Sequence, residues 1–207
     1  MLEAFPIEIK KQLGLLKLVA QQTADKNYDF LSEDESLKLT LSRNFIALTA
    51  YKYERWERFY EKLQKPLQAL ISIYAPAYFT RIGLRYIDII NRTEIKLEKV
   101  SWADLLKPFI LGLLAIPDTQ DYVHNFASTY EIGLKDGESK VRIVTKLLEA
   151  VDNGEVCLMI DSDFMINKKT ELNDAAEKLI YFNIRASRLI QWCMTDKLYE
   201  ALDPQVL

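Results

Sequence analysis

Seven charged side chains fall, by strand alternation, on a single face of a predicted β-sheet. We expect this face to carry Arg81, Arg85, Arg142, Lys146, Glu131, Asp161 and Asp163. Mixed charges of this kind suit a charged protein partner, or a two-fold homodimer in which the acids of one copy meet the bases of the other. The two strand arginines, Arg81 and Arg85, also suit a phosphate or a carboxylate. A solvated face with cross-strand ion pairs, each worth about 0–1 kcal/mol, is the alternative.

Sequence patterns that would indicate catalysis are less specific than this charged face. Asp118, Glu138 and Lys140 follow the order of restriction-type metal sites, but Glu138 falls in a predicted turn, where side chains point to water. His124 is the single histidine, and the spacing places neither cysteine beside it. The chain lacks the glycine-rich loops that bind nucleotides. We therefore assign no catalytic residue, metal ligand or cofactor.

The charged face depends on a three-stranded meander with two turns, Asp136-Gly137 and Asn153-Gly154. Both dipeptides favour the two-residue turns of β-hairpins, because those turns need residues with positive φ. The strands are predicted over Tyr122–Leu134, Val141–Val151 and Val156–Ile166.

Two-residue turns fix the pairing of the meander by arithmetic. Glu131 should face Arg142, Lys146 should face Asp161, and Asp163 should lie diagonal to Arg142. The same register places Ile132 opposite Val141 and Ile143 opposite Phe164, so the apolar residues share the other face.

The remaining elements support this sheet. A hairpin with an Arg43-Asn44 turn should pair Leu41 with Ile46. Apolar periodicity predicts a helix over 6–16 and two long helices, while alternation predicts one further long strand. These elements cover Leu37–Ser42 and Phe45–Tyr51 (the hairpin), Glu54–Tyr74 (a helix), Ala77–Asn91 (the strand) and Glu171–Ala201 (the last helix, with Thr170 as its cap).

Composition limits the function. The 207 residues carry 27 Lys+Arg and 30 Asp+Glu, a net charge of −3, which argues against a general nucleic-acid binder. No apolar run approaches the roughly 20 residues of a membrane span, and two cysteines are too few for a disulfide framework. These features favour a cytoplasmic protein of one domain, residues 1–207.

Five segments of the chain form a recognisable pattern: LSRNFIALT (41–49), YKYERW (51–56), RIGLRY (81–86), LMIDSD (158–163) and TDKL (195–198). Together they resemble the sporadically distributed family of uncharacterised bacterial and archaeal proteins. The resemblance runs over residues 28–202 with the segments in family order. It implies no activity, cofactor or catalytic residue. Family members usually begin with a strand ahead of the first helix, so the resemblance implies that this chain lacks that strand.

The sequence thus predicts an α+β fold: one curved antiparallel sheet of about seven strands with two long helices, in a helix-grip-like arrangement. It favours a non-catalytic interaction module, acting through the charged face or through extra apolar residues of the C-terminal helix. The partner would be a second copy or another protein. Two alternatives stay open. A metal-dependent phosphoester hydrolase is one, and an apolar small-molecule binder with a cavity lined by Leu39, Leu84, Tyr86, Tyr130 and Phe164 is the other.

Overall fold

The computed structural model of the protein describes residues 26–150 and 153–202. The predicted helix over 6–16 and the question of a missing N-terminal strand lie outside these residues. The chain forms two compact units, which divide between Ala75 and Pro76. Its architecture is α+β with antiparallel sheets, as predicted. That the whole chain is one domain stays a prediction.

The first unit contains a three-stranded sheet in the order β1-β2-β3 and one long helix. The predicted hairpin register is confirmed, because Leu41 lies opposite Ile46 and Leu39 opposite Leu48. Its elements are β1 (Tyr28–Leu31), β2 (Leu37–Leu41), β3 (Ile46–Ala50) and α1 (Trp56–Tyr74).

The second unit contains a four-stranded antiparallel sheet in the order β4-β7-β6-β5. Its strands are β4 (Ile82–Ile90), β5 (Ala127–Gly133), β6 (Lys140–Glu149) and β7 (Val156–Ile166). Its α-helices are α2 (Trp102–Leu105), α3 (Pro108–Leu111), α4 (Pro117–Gln120), α5 (Ala175–Cys193) and α6 (Asp196–Ala201).

The long C-terminal helix α5 packs on one face of this sheet. The Phe182 ring lies 6.3 Å from the Phe164 ring of β7, and the Tyr86 hydroxyl donates to Asn183 Oδ1 at 2.9 Å. Every residue of β7 except Val156 and Asp163 is buried, as expected for one of the two interior strands of this sheet.

The prediction of one seven-stranded sheet is wrong, because the strands form sheets of three and four. Strand alternation identifies the strands and their faces, and short turns identify the hairpin partners. Neither signal predicts which strands become neighbours when a long helix separates them in the sequence. β4 has no hairpin partner, and it pairs with β7, which lies far along the chain.

The second meander turn differs from the prediction and shifts the register by two residues. Ala150 N donates to Glu155 O at 2.8 Å, so the loop has four residues, with Gly154 at its last position and a φ of 68°. Ile143 therefore lies opposite Ser162 rather than Phe164. Each side chain keeps its face, because the shift equals the strand period.

The predicted helix Glu171–Ala201 is two helices, α5 and α6, with a break at Met194 and Thr195. The Thr195 hydroxyl accepts from the backbone N–H of Leu198 and so caps α6. Thr170 does not cap α5, which has Asp174 at its N-cap position, and instead forms a β-bridge with Phe79.

Candidate functional site

The predicted charged face forms one row of alternating sign across the four-stranded sheet. Arg85 lies opposite Asp163, Asp163 lies opposite Arg142, and Arg142 lies opposite Glu131. The predicted Glu131–Arg142 pairing is confirmed, whereas Asp163 lies directly opposite Arg142 rather than diagonal to it. The row spans both edges of the sheet, β4 and β5.

Two arginines of this face, one on β4 and one just before it, form ion pairs with the two aspartates of β7. Arg85 makes a two-pronged contact with Asp161, through Nε to Oδ1 at 2.7 Å and Nη2 to Oδ2 at 2.5 Å. Arg81 Nη2 donates to both carboxylate oxygens of Asp163, at 3.2 and 3.0 Å. Arg85 and Asp161 are diagonal neighbours, whereas Arg81 reaches Asp163 from four residues along the strand direction, which its long side chain permits. These four side chains therefore neutralise one another within the chain.

The titration of these groups reflects their partial burial. The hydrogen bond from Arg85 to Asp161 raises the pKa of Arg85 despite burial. Burial raises the pKa of Asp163, while the positive charges of Arg81 and Arg85 oppose that effect. On the same face of β7, Met159 and Met165 are buried. Asp161 at the centre of the charged face is thus largely shielded from water, whereas its neighbours stay partly exposed.

Two basic residues on β6, Arg142 and Lys146, differ from Arg81 and Arg85, which are engaged in ion pairs. The prediction that Lys146 faces Asp161 is wrong, because the register shift places Lys146 opposite Met159. Among the described residues, neither Lys146 nor the exposed Arg142 forms an ion pair. Glu131 instead accepts from Lys140 at 2.9 Å. The open positive charge of this face is therefore confined to β6.

The opposite face of the sheet carries exposed apolar side chains near β5. Tyr130 and Ile132 are each 42% exposed, and the Tyr130 hydroxyl donates to the Phe109 carbonyl at 3.1 Å. The Phe109 ring stacks on Trp192 of α5 at 4.2 Å, and Trp192 is 58% exposed. Ile180 and Ile184 of α5 are also exposed, but they lie on the side of the helix away from its buried stripe. We call Phe109, Tyr130, Ile132 and Trp192 the apolar patch.

Strand β5 is an open edge of the sheet within the described chain, where it pairs with β6 alone. Its N–H and C=O groups alternate in direction, and hydrogen bonds at Phe126 and Leu134 show that even-numbered residues bond to β6. Odd-numbered residues, including Thr129 and Glu131, therefore direct their backbone groups outward. β5 has no proline and no lysine, the residues that commonly protect such edges.

The residues of the metal-site alternative do not form a cation site. Glu138 pairs with Lys168 and with Lys178, and Lys178 also pairs with Asp136 at 3.2 Å. Across the described residues, no group of three or more His, Cys, Asp or Glu side chains is arranged to hold a metal ion.

The residues predicted to line a cavity do not line the 540 Å³ pocket of the second unit. Leu84 and Phe164 are buried in the core, and Tyr130 is partly exposed. A pocket of about 540 Å³ lies at one end of the four-stranded sheet and includes Arg92, Trp102 and His124. No sequence signal joined these three, because they meet only through the loops after β4 and before β5.

Comparisons with other proteins add no family or function. No protein-family model matches the chain, and searches of curated proteins and of solved structures find no match. The resemblance to the sporadically distributed family therefore stays a prediction. Among the described helices, none combines the length and apolarity needed to cross a membrane.

Proposed function

We propose that the protein is a non-catalytic interaction module that pairs with a second copy of itself along strand β5. The observation that carries this proposal is the apolar patch beside an unprotected sheet edge. Edge strands present unpaired N–H and C=O groups, which a further strand satisfies. Antiparallel pairing of β5 with its copy joins two four-stranded sheets into one of eight strands.

The strand itself favours one register. Centring the pair on Tyr130 matches all of Ala127–Gly133 with its copy and places Thr129 opposite Glu131. A pair centred on Glu131 would instead set two glutamates against each other, which is destabilising. In the favoured register the two Tyr130 side chains form an aromatic cross-strand pair, and the apolar patches of both copies lie on the same face of the joined sheet.

The charged face contributes less to this proposal. Arg81, Arg85, Asp161 and Asp163 are engaged in ion pairs within the chain. Arg142 is exposed, and it lies on the face that the apolar patch does not occupy. We therefore assign the principal contact to β5 and α5, and a secondary electrostatic role to β6.

Thr129→Pro is expected to weaken dimerisation at least about tenfold, equivalent to ~1.4 kcal/mol. Proline removes an N–H that points away from β6, so the ladder inside each copy stays intact while two hydrogen bonds between copies are lost. Sedimentation velocity over a concentration series measures the change. Thr129→Ala keeps the N–H and is the matched control, which should dimerise like the unmodified protein.

A cross-linking experiment tests the register independently of proline. Tyr130→Cys should form a disulfide-linked dimer under mild oxidation, because the two side chains face each other across the two-fold axis. Glu131→Cys should not, since its neighbour in the other copy is Thr129. An unmodified protein that stays monomeric at the highest concentration, or equal cross-linking by both variants, would contradict the proposal.

A further inference from the structure

The first unit has an apolar groove between its sheet and helix α1, with a volume of about 200 Å³. The sheet contributes alternate side chains of its strands, and α1 contributes side chains at helical spacing along one face. The sheet side of the groove consists of Phe30, Leu39, Leu41 and Ile46, and the α1 side lies between Pro66 and Tyr74. No residue of the described lining is charged.

The described residues leave this groove open. Among residues 26–75, the part of the first unit that the structure describes, no apolar residue is buried. Phe30 is 56% exposed and Ile73 is 74% exposed, although both line the groove. The other face of the sheet is polar, and there the Thr40 hydroxyl donates to Asp29 Oδ1 at 2.6 Å. The groove face is therefore the inner face of the sheet, which in antiparallel sheets packs against another element.

The chain ahead of β1 supplies an occupant of matching size and chemistry. Residues 6–16, which lie outside the described residues, are predicted to form a helix with Ile9, Leu13 and Leu16 on one face. An apolar stripe of this kind needs an apolar surface to cover it. At 1.5 Å per residue the predicted helix is about 16 Å long, and the α1 side of the groove is about 12 Å long. The stripe and the groove therefore match in length as well as in polarity.

The connection to β1 brings this segment within reach of the groove. Strand β1 begins at Tyr28, which lies opposite Leu41, and Leu41 lines the groove. Residues 17–25 join the predicted helix to this point, and a connection of this length spans up to about 30 Å. Tethers of this length give effective concentrations on the order of millimolar. A contact too weak to hold two separate molecules is therefore sufficient within one chain, which favours residues 6–16 over a segment of a second copy.

We propose that residues 6–16 dock in this groove as an amphipathic helix, with Ile9, Leu13 and Leu16 packed against the sheet and α1. This is the helix-in-groove mode of recognition, in which anchors at positions i, i+4 and i+7 enter an apolar surface. Lys11 falls on the opposite side of the helix, where it faces water. The segment and the groove both belong to the first unit, and neither includes a residue of the proposed β5 contact.

Amide hydrogen exchange of residues 6–16, followed by mass spectrometry on the full-length protein, tests the proposal. These amides should exchange at least about tenfold more slowly than in the Leu13→Ser variant, because that variant lacks the central apolar anchor. Lys11→Ser introduces the same residue on the opposite side of the predicted helix and should keep the slow exchange of the unmodified protein. Unprotected amides in the unmodified protein, or equal loss of protection in both variants, would overturn the proposal.

Ile73→Asp tests the groove itself, because it places a charge against the apolar stripe of the docked helix. Exchange of residues 6–16 should then become about tenfold faster or more. Ser72→Asp adds the same charge at an exposed neighbour outside the groove lining and should leave the exchange unchanged. Protection should also be independent of protein concentration. Protection that survives Ile73→Asp would mean that the segment packs elsewhere, and protection that falls on dilution would assign the groove to a second copy. Either result overturns the proposal.

Discussion

Replacing Arg85 by methionine is expected to lower the free energy of unfolding by about 3 kcal/mol. Arg85 makes a two-pronged contact with Asp161, whose side chain is only 12% exposed. Removing the arginine leaves a carboxylate that is shielded from water and has lost its principal partner. Chemical denaturation monitored by fluorescence measures the effect. Arg142→Met is the matched control, and because Arg142 is exposed and unpaired in the described chain, its effect should be within about 0.5 kcal/mol.

Removing both members of this pair should restore much of the lost stability. Asp161 lies between Ile87 of β4 and Val144 of β6, so an apolar residue at this position meets apolar neighbours. The double variant Arg85→Met, Asp161→Leu is therefore expected to be more stable than Arg85→Met alone. A double variant that is less stable than either single variant would show that the pair is not the main role of these residues.

The Arg85→Met experiment also tests the partner-binding role that the sequence predicts for Arg85. A partner-binding arginine on a solvated face could be replaced with little effect on stability, and Arg85→Glu would then serve as a pure binding test. In the structure, the same substitution places a third acid beside Asp161 and Asp163. Arg85 and Asp161 are thus expected to act first as structural residues, and the surface open to a partner lies on β5 and α5.

Sequence could predict local pairing but not the distances between elements. The Arg43-Asn44 turn and the Glu131–Arg142 pairing were predictable, because a short turn fixes both strands at once. At Leu134–Ser139 the turn is longer than the two residues predicted, yet both loops share one centre and the register survives. At Ala150–Glu155 the centre moves, and Lys146 loses its predicted partner.

The ion pairs of Arg81 and Arg85 and the 540 Å³ pocket could not be predicted from the sequence, for a different reason. Arg85 selects Asp161 rather than the directly opposite Asp163 through the conformation of its side chain, which alternation does not encode. Arg92 and Trp102 meet through a loop that has no periodicity. Thr195-Asp196 was readable in principle, since threonine followed by an acid in the first turn is a helix start, but the apolar stripe continued across it.

Asp88→Asn is expected to stabilise the protein near neutral pH and to have little effect in acid. Asp88 lies on β4 opposite the buried Ile160, on the face that α5 covers, and burial raises its pKa to about 6. A nearby buried thiol, Cys193, has its pKa raised to about 12 by burial, with a further contribution from the charge of Asp88. Ionised Asp88 is therefore an unfavourable charge in the folded state.

The direction in which stability changes with pH follows from the number of protons that the folded and unfolded states bind. Between about pH 4 and pH 6 the folded state holds a proton on Asp88 that the unfolded chain has released, so the stability contributed by the protonated carboxyl falls as pH rises through this window. Two pKa units correspond to about 2–3 kcal/mol. Asparagine cannot ionise, so the variant should match the unmodified protein below about pH 4 and exceed it by up to this amount above pH 6.

Asp136→Asn supplies a control of opposite sign. Burial opposes ionisation of Asp136, but the Ser139 hydroxyl and backbone N–H groups, together with Lys178, hold its pKa well below the usual range. Its carboxylate therefore stabilises the fold above about pH 4, and that stability is lost as pH falls through its pKa. Denaturation of both variants should be measured from below about pH 4 to above about pH 6. Relative to the unmodified protein, the free energy of unfolding should become higher for Asp88→Asn and lower for Asp136→Asn as pH rises. A pH-independent difference for Asp88→Asn would mean that its carboxyl titrates normally in the folded protein, and that β4 and α5 admit water at this position.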